Sequence, residues 1–429
     1  MIRTLQDLPS KWEYERLGSV TKEIKSGFAS GKRDENGIVQ LRMNNVDVGG
    51  KINLEKTLKV PIPKNITDYL LQNGDVLFNN TNSVDLIGKT SIFNDEIIPC
   101  TYSNHLTRIR GDSTKVNQKW ILYNLISLWK KGIFYRICKR HVGQAGITSK
   151  DIDNLRIPVP PLVEQRGIVE VLGTVDACIR LTDAVIERAE ELKRGLMQRL
   201  LTRGIGHTEY KETQLGKIPK TWIISQLKET GKIVTGTTPS TKIKEYYNNK
   251  EYMFISPADL GGKKYIQTTI KKISKKGLAV TRSVPKDSVL VTCIGSTIGK
   301  VGMTSELSST NQQINTIISD SEWNPHFIYY NLVFRAKDLK LYANQSPVPI
   351  INKSDFSKIK IVKPSLEEQH EIAIILSTID KKILEEMEGK NKLKIIKQSL
   401  MTLLLSGTIR VELKGDGLHR IGDSREANN

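Results

Sequence analysis

Hydrophobic positions between residues 162 and 203 follow the repeat of one long helix with a narrow apolar stripe. Apolar or small residues recur alternately four and three positions apart, which keeps them on one side of a helix, as in the seam of a coiled coil. Lys193 interrupts this stripe, and Leu196 and Leu200 resume it. At about 1.5 Å per residue the helix would be about 60 Å long. Because such a helix cannot bury its stripe against itself, we predict that it packs on a partner.

A matching segment lies 204 residues further along the chain. LVEQRGIVEVLGTVDACI, beginning at Leu162, reappears as LEEQHEIAIILSTIDKKI, beginning at Leu366. We therefore predict that two long helices pair with each other, rather than being unrelated surface helices. The predicted seam consists of Ile168, Leu172, Val175, Ile179, Ile186, Leu196, Leu200, Ile372, Leu376, Ile379, Ile383, Leu393, Leu400 and Leu404.

The repeat also covers the segments that precede the helices. LPSKW at 8–12 returns as IPKTW at 218–222, GDVLF at 74–78 as DSVLV at 287–291, and ILYNL at 121–125 as IYYNL at 328–332. Such self-similarity indicates a tandem duplication of globular half and long helix. The predicted boundaries are 1–160 and 205–363 for the globular domains, 161–204 and 364–410 for the helices, and 411–429 for a disordered tail.

Each globular half combines short strands and helices, which predicts an α/β fold of the α+β type. DVLFN at 75–79 and SVLVTCI at 288–294 have the β-branched composition of buried strands. Segments 119–135 and 325–341 carry apolar residues at helical spacing. Ser365 and Glu368 have the spacing of a capping box at the start of the second long helix.

Positive charge is the unusual feature of the composition. The 429 residues carry a formal net charge of +19, and residues 205–363 hold 24 Lys and Arg against 12 Asp and Glu. This excess indicates a polyanionic partner, most often nucleic acid, although anionic membranes also attract basic surfaces.

The cysteines and the apolar runs bear on the cellular compartment. The four cysteines are far apart and form no C-x-x-C pair, which argues against a disulfide framework and a zinc site. No apolar run approaches the length of a membrane span, and the first 15 residues lack the apolar core of a signal peptide. We expect a cytoplasmic protein without a membrane partner.

Motifs for catalysis are absent from the sequence. The segments ending in Gly88-Lys89 and Gly299-Lys300 lack the first glycine of a P-loop, which Ser83 and Ile294 replace. The histidines show no metal-ligand spacing, and no hydrolase, dinucleotide-binding or amino-methyltransferase motif occurs. A self-contained methyltransferase or nuclease is therefore disfavoured, and we expect no catalytic residues and no metal site.

Several segments resemble the target-recognition domains and spacer helices of type I restriction-modification specificity subunits. The second half carries GTTPSTKIKEYYNNKEYMFISPADL at 236–260 and SVLVTCIGSTIGKVGMTSELSSTNQQINTII at 288–318. The first half carries QLRMNNVDVGG and NGDVLFNNTNSVDLIGKTSIF, and the helices end in LMQRLLTRG and LMTLLLSG. The resemblance covers nearly the whole chain. One departure is LLTRGI, where the family more often has a glycine before the basic residue.

This resemblance implies two target-recognition domains separated by an antiparallel coiled coil of the conserved helices, with pseudo-twofold symmetry. Each domain would read one half of a bipartite double-stranded DNA target. Because the two domains differ in sequence, the target should be asymmetric. Two methyltransferase subunits and the endonuclease-translocase subunits would be the protein partners. S-adenosylmethionine, ATP and magnesium would bind those partners, so we expect no cofactor on this chain.

Candidate DNA-binding residues are polar side chains in the matching loops, because amides, arginine and lysine can bond base edges in the major groove. In the first half they are Arg42, Asn44, Asn79, Asn80, Asn82, Lys89, Asn104, His105, Arg140 and Gln144. In the second half they are Thr238, Ser240, Lys242, Lys244, Ser296, Thr297, Lys300, Asn311, Gln312, Gln313 and Gln345. The asparagines at 79–82 and the amides at 311–313 could instead form structural polar networks at strand ends.

Two other functions stay open at this point. A generic coiled-coil scaffold for DNA or RNA would bind according to salt and ignore sequence, whereas a specificity subunit would prefer one site. A specificity subunit could also serve a system that only methylates DNA.

Overall fold

The computed structural model describes residues 9–344, 347–413 and 419–423. The chain forms two compact units. The first unit comprises the chain up to Leu181 and from Lys390 onward, and the second comprises Thr182–Gly389. Each long helix therefore contributes one part to each unit.

The first unit begins with short strands and three short helices. Its strands are β1 (Glu13–Arg16), β2 (Thr21–Ser26), β3 (Ile38–Leu41), β4 (Leu58–Val60), β5 (Val76–Asn79), β6 (Thr81–Asn82), β7 (Thr90–Ile92), β8 (Cys100–Tyr102), β9 (Leu106–Gly111), β10 (Lys139–His141), β11 (Gln144–Gly146) and β12 (Arg156–Val159). Its helices before the long one are α1 (Gln118–Lys130), α2 (Ile133–Ile137) and α3 (Ser149–Asp153). The first long helix is α4 (Leu162–Arg203).

The second unit repeats this plan. Its strands are β13 (Tyr210–Thr213), β14 (Gly216–Pro219), β15 (Ile223–Gln226), β16 (Gly231–Thr235), β17 (Tyr252–Ile255), β18 (Tyr265–Ile266), β19 (Lys271–Ile273), β20 (Ser283–Val284), β21 (Val289–Thr292), β22 (Val301–Thr304), β23 (Ser308–Thr310), β24 (Ile314–Ser319) and β25 (Lys360–Lys363). Its helices are α5 (Lys275–Ala279), α6 (Pro325–Phe334), α7 (Ala336–Leu339) and α8 (Lys353–Lys358), followed by the second long helix, α9 (Leu366–Leu405). The strands β26 (Ile409–Leu413) and β27 (His419–Asp423) close the first unit.

A sheet whose strands pair mainly antiparallel and one packed helix build the core of each unit. In the first unit the sheet order is β2-β9-β5-β7, and in the second it is β16-β24-β21-β22-β18. The predicted strands at 75–79 and 288–294 are confirmed as β5 and β21, and both lie inside these sheets with every residue buried. Smaller sheets, β4-β3-β8 and β19-β17-β23-β20, accompany them.

The long helices, of 42 and 40 residues, run antiparallel within each unit. In the first unit the first turns of α4 share a core with the last turns of α9, through Leu172 and Leu404. In the second unit the last turns of α4 share a core with the first turns of α9, through Leu200 and Leu376. The structure confirms the predicted pairing of the two helices.

Burial along the seam is uneven. Six predicted seam residues are buried, namely Ile168, Leu172, Leu200, Ile372, Leu376 and Leu404. The other eight are half-buried, namely Val175, Ile179, Ile186, Leu196, Ile379, Ile383, Leu393 and Leu400. The buried set belongs to the cores of the units, so the ends of the helices are parts of the globular folds rather than a free-standing coiled coil.

Three sequence predictions differ in detail from the structure. The predicted helix at 119–135 breaks at Gly132, whose φ of 69° is left-handed, and the helix predicted at 325–341 breaks at Arg335. Half of the predicted capping box is present, because Ser365 Oγ accepts a hydrogen bond from Glu368 N at 3.2 Å, but the Glu368 carboxylate is engaged elsewhere.

The predicted disordered tail also differs. Residues 409–413 pair antiparallel with residues 419–423. The rest of that tail, residues 414–418 and 424–429, lies outside the described residues.

Candidate nucleic-acid interface

Most first-unit candidates meet at the end of strand β5. The side chain of Asn79 donates from Nδ2 to the carbonyl of Met43 at 3.2 Å, which holds the loop bearing Arg42 and Asn44 against the strand end. Lys89 Nζ donates to the carbonyls of Met43 and Val46, at 3.3 and 2.7 Å. Burial lowers the pKa of Lys89.

Asn80 brings two further segments to the same place. Its Nδ2 donates to the carbonyl of Asn104 at 3.0 Å and its backbone N to that of His105 at 3.1 Å. Its carbonyl accepts from the backbone N of Ile147 at 2.9 Å, which attaches the chain after β11. Loops that are far apart in sequence are thus joined at one strand end.

Exposure divides the first-unit candidates. Asn44, Asn104, Arg140 and Gln144 are exposed, and Arg42, Asn82, Lys89 and His105 are half-buried. Asn79 and Asn80 are 0% and 7% exposed, and their side chains bond to neighbouring loops. This burial favours the structural polar network for these two residues, and their role as base readers stays a prediction.

The second unit forms an equivalent cluster at the end of β21. Strand pairing sets Thr235 against Asn315 and Thr292 against Ile314, so the ends of β16 and β21 meet the start of β24. The backbone carbonyl of Gln313 accepts from the backbone N of Cys293 at 2.8 Å, and Thr238 Oγ1 donates to Gln312 Oε1 at 2.5 Å.

The remaining second-unit candidates lie on three segments. Ser296, Thr297 and Lys300 follow β21 directly, and the carbonyl of Lys300 accepts from Thr292 N at 2.9 Å. Asn311 Nδ2 donates to Gln313 Oε1 at 3.0 Å. Ser240, Lys242 and Lys244 are exposed on the segment after β16, and Gln345 lies outside the described residues.

Sequence reasoning missed some basic residues at these strand ends. Arg282 is exposed and donates from Nη1 to the carbonyl of Thr235 at 3.0 Å, which places it beside the second cluster. Lys139 and His141 are exposed on β10, next to Arg140. The excess of positive charge was the available signal for them, but the sequence pattern did not place them at a strand end.

A tryptophan–glutamate pair attaches each globular fold to a long helix. In the first unit Trp12 Nε1 donates to Glu164 Oε2 at 3.0 Å, and Arg410 Nη2 donates to the same oxygen at 2.8 Å. In the second unit Trp222 Nε1 donates to Glu368 Oε2 at 2.8 Å, and His207 Nε2 lies 2.9 Å from Glu368 Oε1. The repeated tryptophan and the repeated E-Q segment therefore contact each other.

The repeated glutamines make the adjacent attachment. Gln165 Oε1 accepts from the backbone N of Asn117, the N-cap of α1, at 2.8 Å. Gln369 Oε1 accepts from the backbone N of Asn324, the N-cap of α6, at 3.0 Å. Both glutamines are fully buried, so each satisfies a backbone group that would otherwise lack a partner.

A tyrosine–aspartate–lysine network makes the third repeated attachment. In the first unit Tyr123 donates to Asp176 at 2.9 Å, and Lys397 lies 2.6 Å from the same carboxylate. The second unit has the same arrangement in Tyr330, Asp380 and Lys193, with distances of 2.6 and 2.5 Å. In each unit the aspartate of one long helix thereby bonds both a tyrosine of a globular-domain helix and a lysine of the other long helix.

The network of the second unit contains one additional lysine. Lys264 Nζ donates to Tyr330 Oη at 3.2 Å and to Ser377 Oγ at 2.9 Å. Burial is the main cause that lowers the pKa of Lys264 to about 8; the nearby charge of Lys193 acts in the same direction, and Asp380 opposes it.

Among the residues that the structure describes, no cluster of three or more His, Cys, Asp or Glu could hold a metal ion. Within the described parts of the chain, no helix is long and apolar enough to cross a membrane.

Comparison with known proteins agrees with this architecture. The chain is 27% identical to each of two type I restriction enzyme specificity subunits of Methanocaldococcus jannaschii, MjaVIII and the provisionally assigned MjaX. The alignments cover 94% of both chains for MjaVIII and 95% for MjaX. The crystal structure of the S subunit of a type I restriction-modification system from M. genitalium covers 94% of this chain and 98% of its own, with a TM-score of 0.61 at 14% identity, which shows a shared fold.

The family model matches both halves of the chain. The type I restriction modification DNA specificity domain is found twice, at residues 9–191 and 219–395. Each match contains one strand-end cluster and the tryptophan, glutamate, glutamine, tyrosine and aspartate of the attachments to the long helices. The chain therefore belongs to the type I restriction modification DNA specificity family and carries two of its domains in tandem.

Proposed function

We propose that this chain is the DNA sequence-specificity subunit of a type I restriction-modification complex. Each unit reads one half of an asymmetric bipartite target through its strand-end cluster, and the long helices set the distance between the halves. The carrying observation is that both units place a polar cluster at the same strand end, β5 and β21, while the side chains in the two clusters differ. Two clusters that lie at equivalent positions but carry different side chains are suited to reading two different half-sites.

We further propose that catalysis belongs to partner subunits. Two methyltransferase subunits would bind S-adenosylmethionine, and endonuclease-translocase subunits would use ATP and magnesium. The relatives are named as specificity subunits, which supports a recognition role for this chain. A system that only methylates would use the same chain without the endonuclease partner.

The generic scaffold is disfavoured because specificity domains match both halves of the chain. The two functions make different predictions for sequence selection. The chain, in complex with its methyltransferase subunits, is used to select duplexes from a random library, and affinities for selected and scrambled duplexes are then compared at fixed salt. We expect one bipartite sequence and a preference of about a thousandfold or more. Equal affinity for both duplexes, with the same dependence on salt, would support the scaffold.

A further inference from the structure

The hairpin of residues 139–146, hereafter the ribbon, has an exposed tip and a buried base. Every residue from Lys139 to Gln144 is exposed, and Val142 at the turn has a relative exposure of 106%. At the base, Ala145 and Ile147 are 1% and 4% exposed within the first-unit core. Strand β6 pairs with β11 and makes the ribbon the edge of a three-stranded sheet.

The pairing register assigns the two faces of the ribbon. Arg140 is opposite the buried Ala145, and its guanidinium stacks over the Tyr135 ring at 4.8 Å, so it lies on the protein-facing side. Because side chains alternate along a strand, Lys139 and His141 are on the other face, where His141 is opposite Gln144. The outer face therefore presents Lys139, His141 and Gln144 beside the apolar tip.

A single exposed apolar side chain is ordinary on a protein surface. The surroundings of Val142 are less ordinary, because residues 130–150 contain six Lys and Arg and no Asp or Glu. The ribbon also joins the candidate cluster directly, since Ala145 pairs with Asn82 and Ile147 bonds to Asn80. The charge is complementary to DNA, and the position adjoins the strand end at which the other candidates meet.

We propose that the ribbon enters the major groove of the first half-site and reads bases there, an inference that rests on the proposed function. A two-stranded ribbon fits this groove, which is about 12 Å wide. Gln144 and His141 bond base edges, the Val142 methyl groups contact the C5-methyl of a thymine, and Lys139 neutralises a phosphate. Arg140 supports the ribbon through Tyr135 rather than reading a base.

The second unit closes the corresponding segment differently. Asn344 N donates to the carbonyl of Ile350 at 3.2 Å, and Ile350 pairs with Ile294 at the end of β21. The proline at 349 sits where a paired strand would need a donor, and its carbonyl accepts from Gly295 N at 2.9 Å. Among the described residues the second unit has no such ribbon, so reading by the ribbon is assigned to the first half-site.

The thymine contact is tested with the full chain in complex with its methyltransferase subunits. Each thymine of the selected target is replaced in turn by uracil, which lacks only the C5-methyl, and affinities are measured for wild type, Val142→Ala and Ile62→Ala. Ile62 is a matched control because it is an exposed apolar residue of the same unit outside the ribbon, 61% exposed.

For wild type we expect one thymine at which uracil lowers affinity roughly tenfold. Val142→Ala should lose a similar factor on the thymine duplex and show no further loss with uracil at that position, whereas Ile62→Ala should behave as wild type. The inference is overturned if Val142→Ala keeps wild-type affinity and thymine sensitivity, or if no thymine is sensitive. Failure of the proposed function is distinguishable, because the wild-type complex would then select no sequence at all.

The polar readers have a separate readout. Gln144→Ala should relax sequence preference at one position of the first half-site, whereas Lys139→Ala should weaken binding to all duplexes and reduce the salt dependence by about one phosphate contact. Uniform weakening by Gln144→Ala, with the preference unchanged, would contradict a role in base reading.

Discussion

At the scale of single residues, Glu164 and Glu368 attach the globular folds to the long helices. Each accepts more hydrogen bonds than a helix-capping role would require. Glu164 accepts from the Trp12 indole and from Arg410, and its side chain is 9% exposed. A buried carboxylate that satisfies two donors stabilises the fold mainly because its removal would leave those donors unpaired. The equivalent Glu368 is 12% exposed and accepts from Trp222.

Replacement of Glu164 tests this attachment. Glu164→Ala should lower the free energy of unfolding by about 2–4 kcal/mol, because Arg410 and the Trp12 indole lose their acceptor. Glu164→Gln should cost less, since one acceptor oxygen remains. Urea unfolding measures both, with the exposed Glu191→Ala as a control expected to change stability by about 0.5 kcal/mol or less. Equal effects at Glu164 and Glu191 would contradict the attachment.

Lys264 predicts a pH dependence of stability. Its folded pKa is lowered to about 8 from the usual 10.5, so between these values the unfolded chain binds more protons and stability rises with pH. Lys264→Met should therefore raise stability at pH 7 relative to wild type, by about 1–2 kcal/mol before lost hydrogen bonds are counted. The difference between the two proteins should shrink from pH 8 to 10.5 in urea unfolding. A difference that is independent of pH would contradict a lowered pKa.

Sequence reasoning reached part of this residue-scale picture. The shared register predicted that Asp176 and Asp380 are equivalent, and both prove to be the centres of equivalent networks. The pattern shows Lys193 as a break in the apolar stripe, and the structure gives the reason: an ion pair with Asp380, which only the folded helices bring within 2.5 Å. The interior position of Asn79 and Asn80 was not predictable, because polar residues at strand ends have the same pattern whether they face solvent or a neighbouring loop.

At the scale of elements, the long helices do two kinds of packing. Their ends pass through the globular cores, where Leu172 and Leu376 are both 0% exposed. Their middle positions, such as Ile179, are only half-buried. Hydrophobic periodicity predicted the stripe correctly, but it could not distinguish core positions from the half-buried seam, because both follow the same spacing.

Truncation along the stripe should follow this difference. Leu172→Ala and Leu376→Ala should each lower the free energy of unfolding by about 2–5 kcal/mol, since each leaves a cavity in a packed core. Ile179→Ala should cost clearly less, because its surface is already partly in water. Hydrogen exchange with mass spectrometry would locate the loss in the first unit for Leu172 and in the second for Leu376. Equal losses at all three positions would contradict the uneven burial.

The ribbon is an element that the sequence pattern did not predict. Its strands contain lysine, arginine, histidine and glutamine rather than β-branched residues, so propensity did not predict them. These strands are stabilised instead by pairing with β6 and by the burial of Ala145. Such tertiary stabilisation is visible only when strands that are distant in sequence come together.

At the scale of the whole molecule, a duplicated plan carries two different surfaces. The attachments through Trp, Glu, Gln, Tyr and Asp recur in both units with the same geometry. The strand-end clusters occupy equivalent positions but differ in residue type, and the ribbon occurs in the first unit only among the described residues. Retained attachments with divergent loops are what a reader of two unlike half-sites requires, and the sequence repeat was sufficient to predict this organisation.

The most direct test of this organisation is a map of adenine methylation in a cell that expresses the chain together with its methyltransferase partner. The account predicts one bipartite, asymmetric motif in which two specified halves are separated by an unspecified gap of constant length. A motif with identical halves, a gap of variable length, or methylation scattered without a motif while the complex stays intact would contradict it.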